Sequence, residues 1–306
     1  MRNIILVVLA VLIFTLGSQA QPCVDIAKEV APVMSPETRE SYEKQLESAR
    51  LIALTGPNGG DADSIIWYGR RTAYLGKYKD AIGIFTKAIK RWRDDARIYR
   101  HRGHRYITLR CFDDAIVDLE KAAKLIKGKP DAVEPDGIPN AKNIPTSTLQ
   151  SNIWYHLGLA YYLKGDLKKA ANAYSECMKV SKNNDMLAAT LHWYYMTLRR
   201  LEKNKDAERL LLPFDGDFEL IENDDYLKLL RLYRGEVRPE QLAGELGEKA
   251  ETLGNASLGY GFGNWYLYNG DTSKAIDIFK KITAGNQWAS FGYIAAEAEL
   301  KRLTKP

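Results

Sequence analysis

Histidine and cysteine are scarce in this chain of 306 residues, at four and three copies, and the scarcity narrows its chemistry. Cys23, Cys111 and Cys177 are an odd, sparse set, so a disulfide framework is not expected. His101 and His104 stand three apart, a spacing that suits a metal, but no Cys or acidic residue accompanies them on their helix. Arg100, Arg102 and Arg105 surround them with repelling charge, and no metal is expected. His156 and His192 are isolated among aromatic residues and read as packed side chains. No G-x-S-x-G elbow is present, and the Gly-rich run TGPNGGD lacks the Gly-Lys-Ser/Thr ending of a phosphate loop. Gly259, Gly261 and Gly263 lack the full dinucleotide spacing and open a helix instead of following a strand, which points to close packing. No catalytic residue and no cofactor is therefore expected.

Long apolar runs are confined to the N-terminus. Arg2, the apolar stretch from Ile4 to Leu16 and the small-x-small site Ser18-Gln19-Ala20 have the anatomy of a secretory signal peptide cleaved after Ala20. Gln21 and Pro22 stand where a lipoprotein signal has small residues, which argues against lipidation of Cys23. Beyond the leader no run approaches the roughly 18 apolar residues of a membrane span. The mature chain is expected to be exported, periplasmic or secreted, with no stable span after cleavage.

Charge is unevenly distributed. Between Ile66 and Arg110 thirteen Lys or Arg face three Asp, a charge of +10; since the whole chain carries +5, the rest carries −5. Asp215, Asp217, Glu219, Glu222, Asp224 and Asp225 form an acidic stretch, which is expected to remain solvated.

What is abundant is repetition. Gly69, Tyr78, Ala81, Phe85 and Ala88 recur 34 residues later as Gly103, Phe112, Ala115, Leu119 and Ala122. Trp154, Leu157, Gly158, Tyr161, Gly165, Ala170 and Tyr174 make a third copy, in which Cys177 falls at the site of Ala88 and Ala122 and reads as a small buried side chain. Gly263, Tyr266, Gly270, Ala275 and Phe279 make another near the C-terminus. Small residues at these sites let two helix axes approach closely, while aromatic and aliphatic residues at three- and four-residue steps form one apolar stripe per helix. The pattern W-x-x-L-G-x-x-Y followed by Ala and an aromatic residue resembles the tetratricopeptide (TPR) repeat, in an exported, bacterial-type protein. The resemblance implies an all-α, TPR-like right-handed α-solenoid of helix-turn-helix repeats.

The boundaries follow. Residues 1–20 form the signal peptide, 21–61 an N-terminal segment with one helix, and 62–127 the first two repeats. Residues 128–148, with four prolines, form an inserted loop that is either functional or mobile, its composition favouring mobile and dispensable for folding. Residues 149–214 hold the third and fourth repeats, the fourth with Tyr195 in the glycine position; 215–254 form a diverged unit with its acidic lead-in, and 255–306 a last repeat with a capping helix.

In TPR proteins the positions three before and one after the repeat glycine commonly face a concave groove. The resemblance carries this to Arg100, His104, Tyr155, Leu159, Tyr260 and Asn264, and to Ile66 and Arg70, with Arg97 one turn before Arg100 and Tyr162 on the same aromatic surface. Arg70, Arg97 and Arg100 suit acidic groups through charge-assisted hydrogen bonds, against the plainer reading of a solvated basic face. The expected function is a non-enzymatic exported scaffold that binds a protein or peptide, with no nucleic acid as partner. The alternative, an enzyme or enzyme-accessory protein of the cell envelope, requires a site that no motif reveals.

Overall fold

The computed structural model describes residues 22–56, 60–214, 219–247 and 255–304; residues 1–20, expected to be a signal peptide, lie outside them. A short α1 (Cys23–Ile26) precedes α2 (Pro36–Thr55). Three helix pairs follow: α3 (Ala62–Tyr74) with α4 (Tyr78–Arg91), α5 (Ala96–Thr108) with α6 (Phe112–Ile126), and α7 (Leu149–Lys164) with α8 (Leu167–Val180). Next come α9 (Asn184–Arg200), α10 (Asn204–Leu211), α11 (Asp224–Tyr233) and α12 (Pro239–Leu246), then α13 (Ala256–Tyr268), α14 (Thr272–Thr283) and α15 (Phe291–Leu303). Among the described residues there is no strand, only one isolated bridge between Val133 and Thr148.

Local chemistry starts and stops these helices. Ser35 accepts the amide of Thr38 ahead of Pro36, whose fixed φ suits the first helical position. Asp61 and Thr148 form reciprocal caps with Ser64 and Ser151. At Gly165 the backbone turns left-handed, φ 94°, and ends α7 with amide bonds to Tyr161 and Tyr162. The consecutive helices from α2 to α10 pack each on the next, which makes the chain an all-α, TPR-like solenoid.

The recurring small residues sit where the helices of a pair cross. A Cβ built on Gly69 would lie 2.4 Å from the Phe85 ring, on Gly103 2.8 Å from Leu119, on Gly158 2.7 Å from the Tyr174 ring and on Gly263 2.7 Å from the Phe279 ring. Ala81, Ala115, Ala170 and Ala275 are fully buried at the same crossings, and Leu157 is buried beside a half-buried Trp154. In the fourth pair Tyr195 takes the glycine position and its ring stacks on Tyr233 of α11, centroids 4.5 Å apart. Cys177 is buried as expected.

One feature answers a question the sequence left open, and another departs from its expectation. Cys23 and Cys111 form a disulfide across 88 residues, with Cys111 buried. A count of cysteines carries no information on proximity. Here residues 22–34 run back along the repeat turns, where the Lys79 amide donates to Glu29 at 2.8 Å and Ala31 packs beneath Gly76. The inserted loop is also tied down at several points. Arg70 Nη2 and Arg71 Nη1 each donate at 2.9 Å, to the carbonyls of Pro135 and Gly137, and Asn183 Nδ2 donates to the Thr146 carbonyl at 2.7 Å. Its prolines reduce the entropy lost when it orders, and its carbonyls satisfy arginines of the first repeat, so it is held in place instead of being mobile.

Glu219, Glu222 and Asp224 of the acidic stretch are exposed, as expected, and Asp225 is half-buried; the backbone and two of the carboxylates of the stretch are also anchored. The Ile221, Glu222 and Asn223 amides donate to the Asp185 carboxylate, Thr146 Oγ1 donates to Glu222, and Asn255 Nδ2 donates to Asp225 at 2.6 Å. Asp215 and Asp217 lie outside the described residues.

A pair of glycines tests the packing. Gly69→Ala is expected to destabilise by about 1–3 kcal/mol through overpacking, whereas Gly83→Ala, at an exposed α4 site with nothing within 4 Å of the added Cβ, is expected to stabilise by about 0.5–1 kcal/mol. Urea melts of both variants decide it; equal effects at the two positions contradict the crossing assignment. Opening the disulfide with Cys23→Ser is expected to remove roughly 4 kcal/mol, since it frees a long loop in the unfolded chain. The midpoint of the oxidised chain should fall in reductant while that of the variant stays put.

Candidate functional site

The positions expected to line an open groove are mostly interior. The chain curls so that α13 and α15 return against the inner helices of the earlier repeats. Tyr260 Oη donates to Tyr162 Oη at 2.7 Å, and both rings pack with Trp193. The Phe291 ring at the start of α15 lies 5.3 Å from His104, 6.3 Å from Tyr155 and 5.5 Å from His156. Arg200 Nη1 donates to Asn264 Oδ1 at 3.2 Å and to Glu299 Oε1 at 2.9 Å, joining α9, α13 and α15. Trp288 stacks on Tyr78, and Arg110 donates to Glu297 and to the Trp288 carbonyl. Tyr155, Leu159, Tyr162, Tyr260 and Asn264 are accordingly buried, at 7% exposure or less. Apolar surfaces that face each other on one chain are favourably removed from water when they close together.

Nor are the arginines free of partners. Arg97 is held by Asp95, whose carboxylate raises its pKa, and by Asp63. Arg100 Nη2 lies 3.1 Å from Glu134 Oε1, an ion pair with both side chains at most 10% exposed. Its Nη1 lies 2.9 Å from His101 Nδ1; a guanidinium only donates, so this nitrogen accepts and the neutral ring turns Nε2–H toward Glu134, 3.5 Å away. Asn152 Nδ2 donates at 3.2 Å to the other oxygen of the same carboxylate. The next carbonyl, that of Pro135, takes Arg70.

The structure thus brings Arg70 and Arg100 together, adds His101, Asn152 and the half-buried Arg105, and leaves Arg97 apart. Burial lowers the Arg105 pKa to about 10, with Arg100 and Arg70 adding to the effect, while Arg100 Nε is buried with no acceptor among the described residues. Glu134 was missed in the sequence. Its signal was faint: an acid before proline in a segment without apolar periodicity.

The repeat pattern has counterparts elsewhere. Residues 151–184 match the family model described as tetratricopeptide repeat. BBSome complex member BBS4 of Bos taurus is 30% identical over 163 residues, which are 53% of this chain and 27% of that protein, so the chain spans about a quarter of the length of this curated relative. Among solved structures, YrrB, a TPR protein with an unusual peptide-binding site, shares 15% identity at a TM-score of 0.41, over 86% of this chain and 99% of that one. A tetratricopeptide repeat protein from Parabacteroides merdae ATCC 43184 shares 15% at a TM-score of 0.46, over 85% and 93%.

Interior imidazoles make stability depend on pH. Burial, reinforced by neighbouring arginines, holds His101, His104 and His156 well below the usual histidine range, and burial alone lowers His192 to about 3. In the unfolded chain all four titrate near 6.5, so their contribution is fully present above that pH and is lost as pH falls toward the folded values, because the unfolded chain binds more protons. Urea midpoints should drop steadily below about pH 6.5. His192→Phe is expected to lessen that slope by one proton taken up on unfolding; an unchanged slope contradicts the buried neutral assignment.

Proposed function

Starting from a chain that belongs to the tetratricopeptide-repeat proteins, we propose that it is an exported, non-enzymatic scaffold. Its concave arginine cluster binds a carboxylate-bearing protein segment at the place its own loop now occupies. The observation that carries this reading is the grip on Glu134: a buried carboxylate of an extended segment held by Arg100 and Asn152, with His101 beside it and Arg70 on the following carbonyl. A charge-assisted set of this kind recognises a carboxylate and fixes the direction of the backbone that bears it. The cluster also has donors to spare, since Arg100 Nε lacks an acceptor and Arg105 pairs with no described carboxylate. Export is supported by the Cys23–Cys111 disulfide, a bond that persists in oxidising compartments.

A synthetic peptide with the sequence of residues 131–138, DAVEPDGI, tests the reading. In the full mature chain, Glu134→Ala weakens the loop's hold and is expected to tighten binding of this peptide by about tenfold over the unmodified chain. A peptide with Gln for Glu should bind poorly, and adding Arg70→Gln to Glu134→Ala should weaken binding and its salt dependence. Titration calorimetry reads all four. No binding to the Glu134→Ala chain, or equal binding of the Glu and Gln peptides, overturns the proposal.

A further inference from the structure

The outer face of the solenoid carries a groove between the second and third repeats, at a junction that one repeat earlier is bridged by a polar strut. Between the first and second repeats, Arg102 of α5 reaches outward and ties both outer helices together. Its Nε and Nη2 donate to Asp118 of α6 at 2.6 and 2.7 Å, and its Nη1 donates to Thr86 of α4 at 2.9 Å. Advancing by the repeat register, Gly103 to Gly158 and Phe85 to Leu119, puts Leu157 at the site of Arg102, Ala173 at that of Asp118 and Glu120 at that of Thr86. Leucine and alanine cannot span the gap. What remains is a groove of about 750 Å³, walled by α6 and α8 and floored by α7, with Trp154, Leu157, Ala173 and Ile126 in its lining.

Its rim is basic at one end. Lys124, Lys127 and Lys129 border the groove, all three exposed and with no carboxylate partner among the described residues. The other charges are already paired, Lys169 with Asp166, Lys179 with Glu176, and Glu120 as acceptor of the Tyr161 hydroxyl. An apolar slot between two helices, with unneutralised ammonium groups at its end, fits a third helix that is apolar on one face and acidic on the other.

We propose that this outer groove docks an acidic amphipathic helix of a partner protein, with a large apolar side chain over Leu157 and Ala173 and carboxylates on Lys124, Lys127 and Lys129. The site is separate from the Arg100–Glu134 cluster, and the two are tested with different peptides and different variants.

The probe is a labelled peptide of about 16 residues, Leu at helical i, i+3, i+4 and i+7 spacing with one central Trp and Glu elsewhere, beside a twin with Lys for each Glu. Fluorescence anisotropy with the full mature chain should show the acidic peptide binding at least about tenfold tighter than its twin. Replacing all three lysines by Gln leaves the core untouched and should weaken binding by about fivefold or more, with a shallower salt dependence. The triple variant E120T/L157R/A173D rebuilds the strut of the preceding repeat and should abolish binding while its circular dichroism stays that of the parent; if it fails to fold, the lysine variant alone decides. Equal binding of the two peptides, or undiminished binding to the lysine variant, overturns the proposal. So does a doubled molar mass by light scattering that the lysine variant abolishes, since the groove would then be filled by a second copy.

Discussion

The close approach of two helices across a single small residue is the contact on which the whole molecule depends. At Gly69, Gly103, Gly158 and Gly263 the partner helix sets a ring or a leucine directly on the backbone, with no room for a methyl group. Repeating that crossing repeats the rotation from one pair to the next, and the accumulated rotation gives a solenoid its concave side. The same crossing fixes which positions face inward, three before and one after each glycine, and thereby fills the inner surface with Tyr155, Leu159, Tyr260 and Asn264.

Closure follows from the character of that surface. Aromatic and aliphatic residues line the inner helices of both the middle and the last repeats, and water is best excluded by joining the two. Some of the polar groups caught in the joint have partners, Tyr162 with Tyr260 and Arg200 with Asn264 and Glu299, while Asn264 Nδ2 and Trp193 Nε1 have none among the described residues. A buried ion pair of this kind adds little net stability, yet breaking it by removing one partner leaves an uncompensated charge, so it holds the register of the joint. The loop between the second and third repeats belongs to the same logic. It supplies the carboxylate that Arg100 requires and the carbonyls that Arg70 and Arg71 bond, and so covers the cationic end that the aromatic closure leaves open.

The two proposed partner surfaces both lie where the chain leaves groups that it does not use on itself. Inside, that is the surplus of donors around Arg100 and Arg105. Outside, it is the junction where Leu157 and Ala173 stand in place of an Arg–Asp strut. The outer one is a departure from the repeat pattern, which is where function can differ within a common fold.

The periodic signal was legible because it is local. Gly158, Ala170 and Tyr174 meet within one helix pair, so their spacing alone reports the crossing, and the helix pairs and the burial of Cys177 could be read from neighbours in the chain. Through the repeat resemblance, the glycine positions also gave an expectation for the inner face. They could not identify what lies against it, since Tyr162 and Tyr260 are 98 residues apart, and their pairing is the sum of many small rotations that no single residue encodes. For the same reason the Cys23–Cys111 bond and the ordered loop were illegible. The bond depends on where residues 22–34 run, and Glu134 gains its meaning only beside Arg100. Local steric fit wrote the repeat into the sequence by itself; the long-range burial of apolar surface, which is non-directional and judged over the whole molecule, decided in the tertiary structure which faces close on each other and which remain open.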